Sequence, residues 1–140
     1  MIVIAESERY LLDTSALMAL IEDEVGADRV EQILHQKETL IASVALLEVY
    51  YVSRQERGEE EADLRYALLK GLSAKVLWSL DEAVLLTAGR FKALHRLSLA
   101  DSIIAAYAVQ HKATLLHKDP EFQALEGCVP LESLPYKQSA

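Results

Sequence analysis

Short apolar runs alternate with longer segments of helical periodicity along almost the whole chain, and this alternation limits the fold more than any other feature. A short apolar, β-branched run is typical of a buried strand, whereas apolar residues that recur every three or four positions indicate a helix. The predicted strands comprise residues 10–12, 39–42, 75–78, 114–117 and 129–131. The predicted helices comprise residues 16–37 with a break near Gly26, 44–55 with Ser43 as the N-cap, 59–70, 81–95 and 99–112.

Strands that alternate with helices favour a parallel sheet, because each parallel connection must cross over the sheet and a helix makes that crossover. The helices then cover both faces of the sheet, which is an α/β fold. A length of 140 residues is typical of one domain, so residues 1–140 are predicted to form a single domain. Residues 136–140, which follow Pro135, are predicted to be a loose tail.

The net charge of −8 argues against a simple nucleic-acid-binding surface, since phosphate contacts usually come from a basic patch. Two explanations stay open: the partner is not a nucleic acid, or clustered acidic side chains bind cations that reverse the local charge. The single cysteine, Cys128, can form no internal disulfide, and the four histidines show no zinc-binding pattern. No apolar run has the length of a membrane span, and the first residues do not match a signal peptide, so a cytoplasmic location is predicted.

Two aspartates follow predicted strands. Asp13 comes directly after the first strand, and Asp119 follows the fourth. In an open parallel sheet the carboxyl ends of the strands meet at one edge, where ligands bind, so both positions suit functional carboxylates. A structural role is the alternative for each: Asp13 or Ser15 would cap the following helix, and Asp119 would cap a helix that Pro120 opens.

Glu48 is the only charged residue between Val44 and Val52, and its neighbours three and four positions away are apolar or aromatic. The carboxylate therefore lies on the helix face that is expected to be buried. A buried carboxylate is costly unless it is protonated, hydrogen-bonded or bound to a metal. The alternatives are that Glu48 reaches solvent at the edge of this face or pairs with a basic side chain.

Asp101 fits two roles at the same time. Ser98 and Asp101 have the spacing of a capping box, which places an acidic side chain at the third helical position. Leu97, Ile104 and Ala105 flank Asp101 at helical spacing, so its carboxylate is also expected near apolar surface. Capping and metal binding are compatible, because both require the acid at the start of the helix.

Together the acidic residues predict a metal site. Asp13 and Asp119 would emerge at one sheet edge, and Glu48 and Asp101 lie on helices that border it; Glu121, in the first turn after Asp119, is an auxiliary candidate. Ionised carboxylates in one place repel each other unless cations intervene. Oxygen ligands without histidine or cysteine select Mg²⁺ or Mn²⁺. One or two such ions imply an oxygen-rich substrate, of which a phosphate ester is the simplest.

Four basic residues cluster shortly before Asp101, namely Arg90, Lys92, His95 and Arg96. They are candidates for contacts with substrate phosphates, which would offset the negative net charge locally. A solvated basic face of a helix is the alternative.

Four segments resemble the motifs of the PIN-domain family, and within it those of the VapC-type toxins of bacterial and archaeal toxin–antitoxin modules. Residues 11–15 resemble the opening motif, 42–48 the second, 99–106 the third and most specific, and 115–122 the fourth. The resemblance spans nearly the whole chain. The sequence differs from the family at His117 and Lys118, where a small hydroxyl residue commonly begins the fourth motif, and at Glu121, which replaces a more frequent Asp or Asn.

The resemblance implies a five-stranded parallel sheet in the order 3-2-1-4-5, which places Asp13 and Asp119 on adjacent strands. It implies a Mg²⁺- or Mn²⁺-dependent endoribonuclease that cleaves single-stranded regions of RNA. The metal ligands and catalytic residues would be Asp13, Glu48, Asp101 and Asp119. Ser15 would act near the metal, as a support for its ligands or as a phosphate contact. Homodimerisation and neutralisation by a small antitoxin are implied as well.

Other functions make specific demands on the sequence. A PIN-like interaction module without catalysis would not need acids in all four motifs, yet all four are present. A metal-dependent nuclease that acts on DNA would need the same acids and stays an alternative. A phosphotransfer enzyme of the haloacid-dehalogenase kind needs an aspartate where Ser15 stands, and a phosphoacceptor receiver domain needs paired acids at the first strand.

Overall fold

The computed structural model describes residues 7–137, and the elements below lie within this range. The strands are β1 (Arg9–Leu12), β2 (Glu38–Ala42), β3 (Lys75–Leu77), β4 (Thr114–His117) and β5 (Leu131–Ser133). The α-helices are α1 (Thr14–Ile21), α2 (Ala27–Gln36), α3 (Ser43–Arg57), α4 (Glu59–Lys70), α5 (Glu82–Leu94) and α6 (Leu99–Gln110). A 3₁₀ helix, Pro120–Leu125, follows β4.

The strands form one parallel sheet in the order β3-β2-β1-β4-β5, which confirms the predicted topology. Successive side chains of a strand point to opposite faces of the sheet. Tyr10, Leu11 and Leu12 are each at most 2% exposed, so both faces of β1 are covered, as an α/β fold requires. The strand order reverses between β1 and β4, and this reversal is where open parallel sheets bind their ligands.

The start of α3 differs from the prediction. The helix begins at Ser43 itself, and the cap position is Ala42, the last residue of β2, which provides no side-chain hydrogen bond. The assignment of Ser43 as N-cap was therefore wrong. The prediction failed because β2 passes into α3 without an intervening residue. Ala42 is therefore both the last residue of the strand and the cap position, and no loop residue is left to serve as a polar cap.

The fifth strand lies two residues later than predicted. The N–H of Val129 donates to the carbonyl of Leu125 at 3.1 Å, which completes the preceding turn rather than a sheet ladder. Pro130 has no N–H, although its carbonyl accepts a 2.9 Å hydrogen bond from Leu115. Regular pairing therefore starts only at β5, Leu131–Ser133. The sequence shows that Val129 and Leu131 are apolar, but it does not show that Val129 belongs to the preceding turn.

The break predicted near Gly26 separates α1 from α2. Gly26 has a φ of +104°, a backbone conformation that side chains disfavour, and an added Cβ would lie 3.1 Å from Cβ of Leu134. The backbone conformation thus favours glycine here, and a larger residue would also press against Leu134. Among the described residues, no helix combines the length and hydropathy needed to cross a membrane.

Two residues of the predicted tail have defined contacts. Nε2 of Gln123 donates to the hydroxyl of Tyr136 at 3.1 Å, and Nζ of Lys137 lies 2.9 Å from Oε2 of Glu24. Residues 138–140 lie outside the described part of the chain, so the loose tail stays a prediction there.

Candidate active site

Two of the predicted site residues lie at the carboxyl ends of adjacent strands. Asp13 directly follows β1, and Asp119 lies two residues beyond the end of β4. The N–H of Asp13 donates to the carbonyl of Leu116 at 3.1 Å, so the pairing of β1 with β4 continues as far as Asp13. Both aspartates are therefore at the reversal of the strand order, where the sequence placed them.

Asp13 is only 1% exposed. It caps α1, since its Oδ1 accepts a 2.7 Å hydrogen bond from the N–H of Ala16, and the hydroxyl of Ser15 donates to the same carboxylate. Burial raises the pKa of Asp13 to about 7, against the lowering effect of these hydrogen bonds. The negative charges of Asp101 and Asp119 add to the rise. Asp13 is thus a helix cap and, at the same time, a carboxyl group with the perturbed pKa that functional sites often show.

Ser15 joins the two strand ends. Its hydroxyl lies 2.8 and 2.7 Å from the two carboxylate oxygens of Asp13, and its oxygen accepts a 2.7 Å hydrogen bond from the N–H of Lys118. Because Lys118 precedes Asp119, these bonds tie the start of α1 to the segment that carries the second aspartate. A role for Ser15 in catalysis stays a prediction.

Glu48 comes to the site from α3, where it is half-buried. Its Oε1 accepts a 2.6 Å hydrogen bond from the hydroxyl of Thr14. Within residues 7–137 Glu48 forms no ion pair, so the alternative of a basic partner is not observed. Sequence reasoning did not single out Thr14. The only feature of the sequence that could have pointed to Thr14 is its position between Asp13 and Ser15. Its contact with Glu48 arises because α3 packs beside α1.

Asp101 lies in the first turn of α6, and its N–H donates to the hydroxyl oxygen of Ser98 at 3.0 Å, which is the predicted cap. Its side chain is half-buried. Burial raises the pKa of Asp101 to about 6, and the negative charges of Glu48 and then Asp119 add to the rise. Carboxylates from α3, α6 and the end of β4 therefore act on one another across the same space.

Three carboxylates are closest together. One oxygen each from Asp101, Asp119 and Glu121 lies within 4.8 Å of the other two. Asp119 caps the 3₁₀ helix, with its Oδ1 accepting a 3.0 Å hydrogen bond from the N–H of Glu121, and Pro120 opens the helix as predicted. This short helix turns Glu121 toward Asp119, so the auxiliary candidate of the sequence lies within the tightest group of acids.

Asp13 and Glu48 lie outside that group of three but are coupled to it by charge. Asp101 and Asp119 both raise the pKa of Asp13, and Glu48 raises that of Asp101. The acidic cluster, as used below, comprises Asp13, Glu48, Asp101, Asp119 and Glu121. The folded chain thus groups Asp101, Asp119 and Glu121, and it places Asp13 and Glu48 near enough for their charges to act on this group or be affected by it. That these acids bind a metal stays a prediction.

His117 stands where the family more often has a small hydroxyl residue. It is 1% exposed, its Nδ1 accepts a 3.3 Å hydrogen bond from the N–H of Asp119, and its ring centroid lies 5.2 Å from that of Phe122. Burial lowers the pKa of His117, which favours the neutral ring that this bond needs. The histidine therefore supports the loop that carries Asp119.

The basic candidates are not joined to the acidic cluster. Arg90 and Lys92 are exposed on α5, and His95 and Arg96 follow that helix. Arg90 donates to the hydroxyl of Thr87 at 3.2 Å. Within the described part of the chain, none of the four forms a hydrogen bond or ion pair with an acid of the cluster. Their contact with substrate phosphates stays a prediction.

The sequence of the chain was compared with models of known protein families. The family model described as the PIN domain matches residues 10–127, which covers all of the acidic cluster. The chain belongs to the PIN-domain family. The resemblance carried by the four sequence motifs is thereby confirmed. A search of curated proteins finds no match.

Solved structures of toxin–antitoxin proteins share the fold of this PIN domain. VapBC2 from Rickettsia felis, bound to a DNA fragment from its promoter, has a TM-score of 0.75 and 16% identity, with 91% of this chain and 99% of that chain covered. VapBC-1 from nontypeable Haemophilus influenzae has a TM-score of 0.70 and 22% identity, with 89% and 97% covered. VapC20 from Mycobacterium tuberculosis, described as a sarcin–ricin loop cleaving toxin, has a TM-score of 0.67 and 16% identity, with 82% and 93% covered. These similarities establish a VapC-type PIN fold.

Proposed function

We propose that this PIN-domain protein is an endoribonuclease that hydrolyses RNA phosphodiester bonds with Mg²⁺ or Mn²⁺ as its cofactor. The acidic cluster is the observation that supports the proposal most. Its members come from the ends of β1 and β4, from α3 and α6 and from the 3₁₀ helix, and the charges of neighbouring members help to raise the pKa values of Asp13 and Asp101. Buried like charges with no basic partner are expensive in a fold, and they are typical of sites that bind a cation.

The donor set fits a hard divalent cation. Asp101, Asp119 and Glu121 each offer a carboxylate oxygen within 4.8 Å of the others, a spacing that one or two shared ions can bridge. No cysteine or histidine is part of this group, and oxygen-only sites favour Mg²⁺ or Mn²⁺ over zinc. Asp13 and Glu48, whose charges interact with this group, would be further ligands.

A bound ion of this kind supplies an activated water and stabilises the leaving oxygen of an in-line displacement at phosphorus. The residues of the chain hold the carboxylates in place for it. Asp13 is fixed by the N–H of Ala16 and the hydroxyl of Ser15, and Asp119 by its cap and by His117. Because Asp13 and Asp101 have raised pKa values, cation binding would favour their deprotonated forms.

RNA is the proposed substrate, because the similar VapC20 structure is that of a toxin that cleaves the sarcin–ricin loop. A small antitoxin is the proposed partner, since similar structures are VapBC complexes. A homodimer in the cytoplasm completes the proposal. The exposed leucines of α5, which are Leu85, Leu86 and Leu94 at 52%, 50% and 75%, support a second copy as a binding partner.

The decisive experiment incubates purified protein with a labelled single-stranded RNA and with DNA of the same sequence, in Mg²⁺, in Mn²⁺ and in EDTA. We expect RNA cleavage that needs the metal, and its loss in Asp101→Asn, which keeps the shape of the side chain but removes its charge. Asp28→Asn, an exposed acid in the first turn of α2, is the matched control.

Each remaining outcome selects an alternative. Folded wild-type protein that cleaves neither polymer in either metal would support a catalytically silent interaction module. Faster cleavage of DNA than of RNA would support a DNA nuclease. Full activity in Asp101→Asn would remove this carboxylate from the mechanism.

A further inference from the structure

Thr14 connects two acids of the cluster that are 35 positions apart in the sequence. It follows Asp13 directly, at the first position of α1, and its hydroxyl donates to Oε1 of Glu48 at a distance of 2.6 Å. A carboxylate can only accept, so the threonine is the donor. The bond bridges the first and second sequence motifs, because Asp13 comes from the end of β1 and Glu48 from α3.

The hydroxyl of Thr14 is in a position to orient the carboxylate of Glu48. Glu48 is half-buried on α3, between the buried residues Ala45 and Val49. Within residues 7–137 Thr14 is its one hydrogen-bond partner, and no basic side chain pairs with it. The charge of Glu48 also repels that of Asp101, so without a donor the carboxylate gains by turning away from the cluster.

The hydrogen bond leaves most of the binding capacity of Glu48 available. A carboxylate has two oxygens and about four lone-pair positions, and the threonine hydroxyl occupies one of them. Oε2 therefore stays available to a cation, while Oε1 is held. Donors that orient a metal-binding carboxylate in this way commonly change metal affinity by about 10- to 100-fold when they are removed.

We propose that Thr14 is a positioning residue that holds Glu48 toward the acidic cluster and thereby sets the affinity of the site for its divalent cation. The inference rests on the proposed function, because it takes Glu48 as a metal ligand. Thr14 contacts neither the cation nor the substrate in this role. It acts through the Oγ1–Oε1 hydrogen bond.

The test compares Thr14→Val, which keeps the shape but removes the hydroxyl, with Thr14→Ser, which keeps the donor. Mn²⁺ binding is measured directly by calorimetry and by electron paramagnetic resonance, without substrate. We expect Thr14→Val to raise the Kd for Mn²⁺ about tenfold and Thr14→Ser to stay within about twofold of wild type. Thr114→Val, which removes a hydroxyl at the amino end of β4, is the matched control and should leave the Kd unchanged.

A second arm uses Glu48→Gln alone and combined with Thr14→Val. If Thr14 acts through Glu48, the valine has no further effect on Mn²⁺ binding once Glu48 is neutralised. The folding of each variant is checked by urea denaturation in EDTA. If Thr14→Val does not show a cooperative unfolding transition, Thr14→Ala is used in its place.

Three results would overturn the inference, and they differ in what else they imply. Wild-type Mn²⁺ affinity in Thr14→Val, together with weakened binding in Glu48→Gln, removes the positioning role but leaves the metal site intact. Unchanged Mn²⁺ binding in Glu48→Gln removes Glu48 from the metal site and the inference with it. An equal loss in the serine and valine variants would show that packing, and not the hydroxyl, is responsible.

Discussion

The hydroxyl oxygen of Ser15 accepts a 2.7 Å hydrogen bond from the backbone N–H of Lys118, so a side chain from the start of α1 holds the chain at the end of β4. The same hydroxyl donates to Asp13. One small side chain thus sets the relative position of the two strand ends from which Asp13 and Asp119 enter the acidic cluster.

Replacing Ser15 with Ala should lower both stability and metal binding. The substitution leaves the Lys118 N–H without its partner and removes a donor from Asp13, and an unsatisfied buried donor costs about 1–3 kcal/mol. Urea denaturation in EDTA measures the stability, and Mn²⁺ titration measures the affinity. Ser73→Ala, at an exposed position between α4 and β3, is the control. Wild-type values for both quantities in Ser15→Ala would show that the hydroxyl is dispensable.

Without metal, the carboxyl group of Asp13 should destabilise the fold as the pH rises. Its pKa is raised from 3.8 to about 7, so the folded protein holds this proton more tightly than the unfolded chain does. The loss of stability is absent below pH 4 and complete above about pH 7. We expect Asp13→Asn to be more stable than wild type at pH 8 in EDTA, with the difference narrowing at pH 5. Denaturation at the two pH values measures this, and an Asn variant that is less stable at pH 8 contradicts it.

Stabilisation by Mn²⁺ should grow with pH over the same interval. The cation competes with protons for Asp13 and Asp101, whose pKa values are raised to about 7 and about 6. The shift in unfolding temperature on adding saturating Mn²⁺ should therefore be small at pH 5.5 and large at pH 7.5. A shift that is independent of pH would mean that the ion binds at other groups.

The basic residues next to α6 should affect RNA binding and not metal binding. Changing Arg90, Lys92 and Arg96 together to Gln is expected to raise KM and to reduce the dependence of KM on salt, since phosphate contacts are the salt-sensitive part of nucleic-acid binding. The Kd for Mn²⁺ should stay the same. A matched triple variant changes the exposed residues Arg57, Lys75 and Lys112 to Gln. Equal effects of the two triple variants would indicate that only overall charge matters.

Several features of the fold were accessible from local sequence. The alternation of strands and helices, the break at Gly26 and the capping of α6 by Ser98 all depend on residues within a few positions of one another. Such local preferences survive in the folded chain because neighbouring residues interact in any compact arrangement. The predictions for the cap of α3 and the start of β5 were wrong because these features depend on more than local preference. The cap depends on the direct passage of β2 into α3, and the start of β5 depends on a turn that ends at Val129.

The amino-acid sequence by itself determined the α/β class, the four motifs and the placement of Asp13 and Asp119 after strands. Only the tertiary structure decided that Thr14 faces Glu48 and that Glu121 joins Asp101 and Asp119. The physical reason is the distance along the chain over which each interaction acts. Periodicity and capping involve residues within one or two helical turns of one another, whereas the separation of two carboxylates on different elements depends on how α3 and α6 pack beside the sheet. The raised pKa values follow from that packing as well, because burial and like charge exist only in the assembled site.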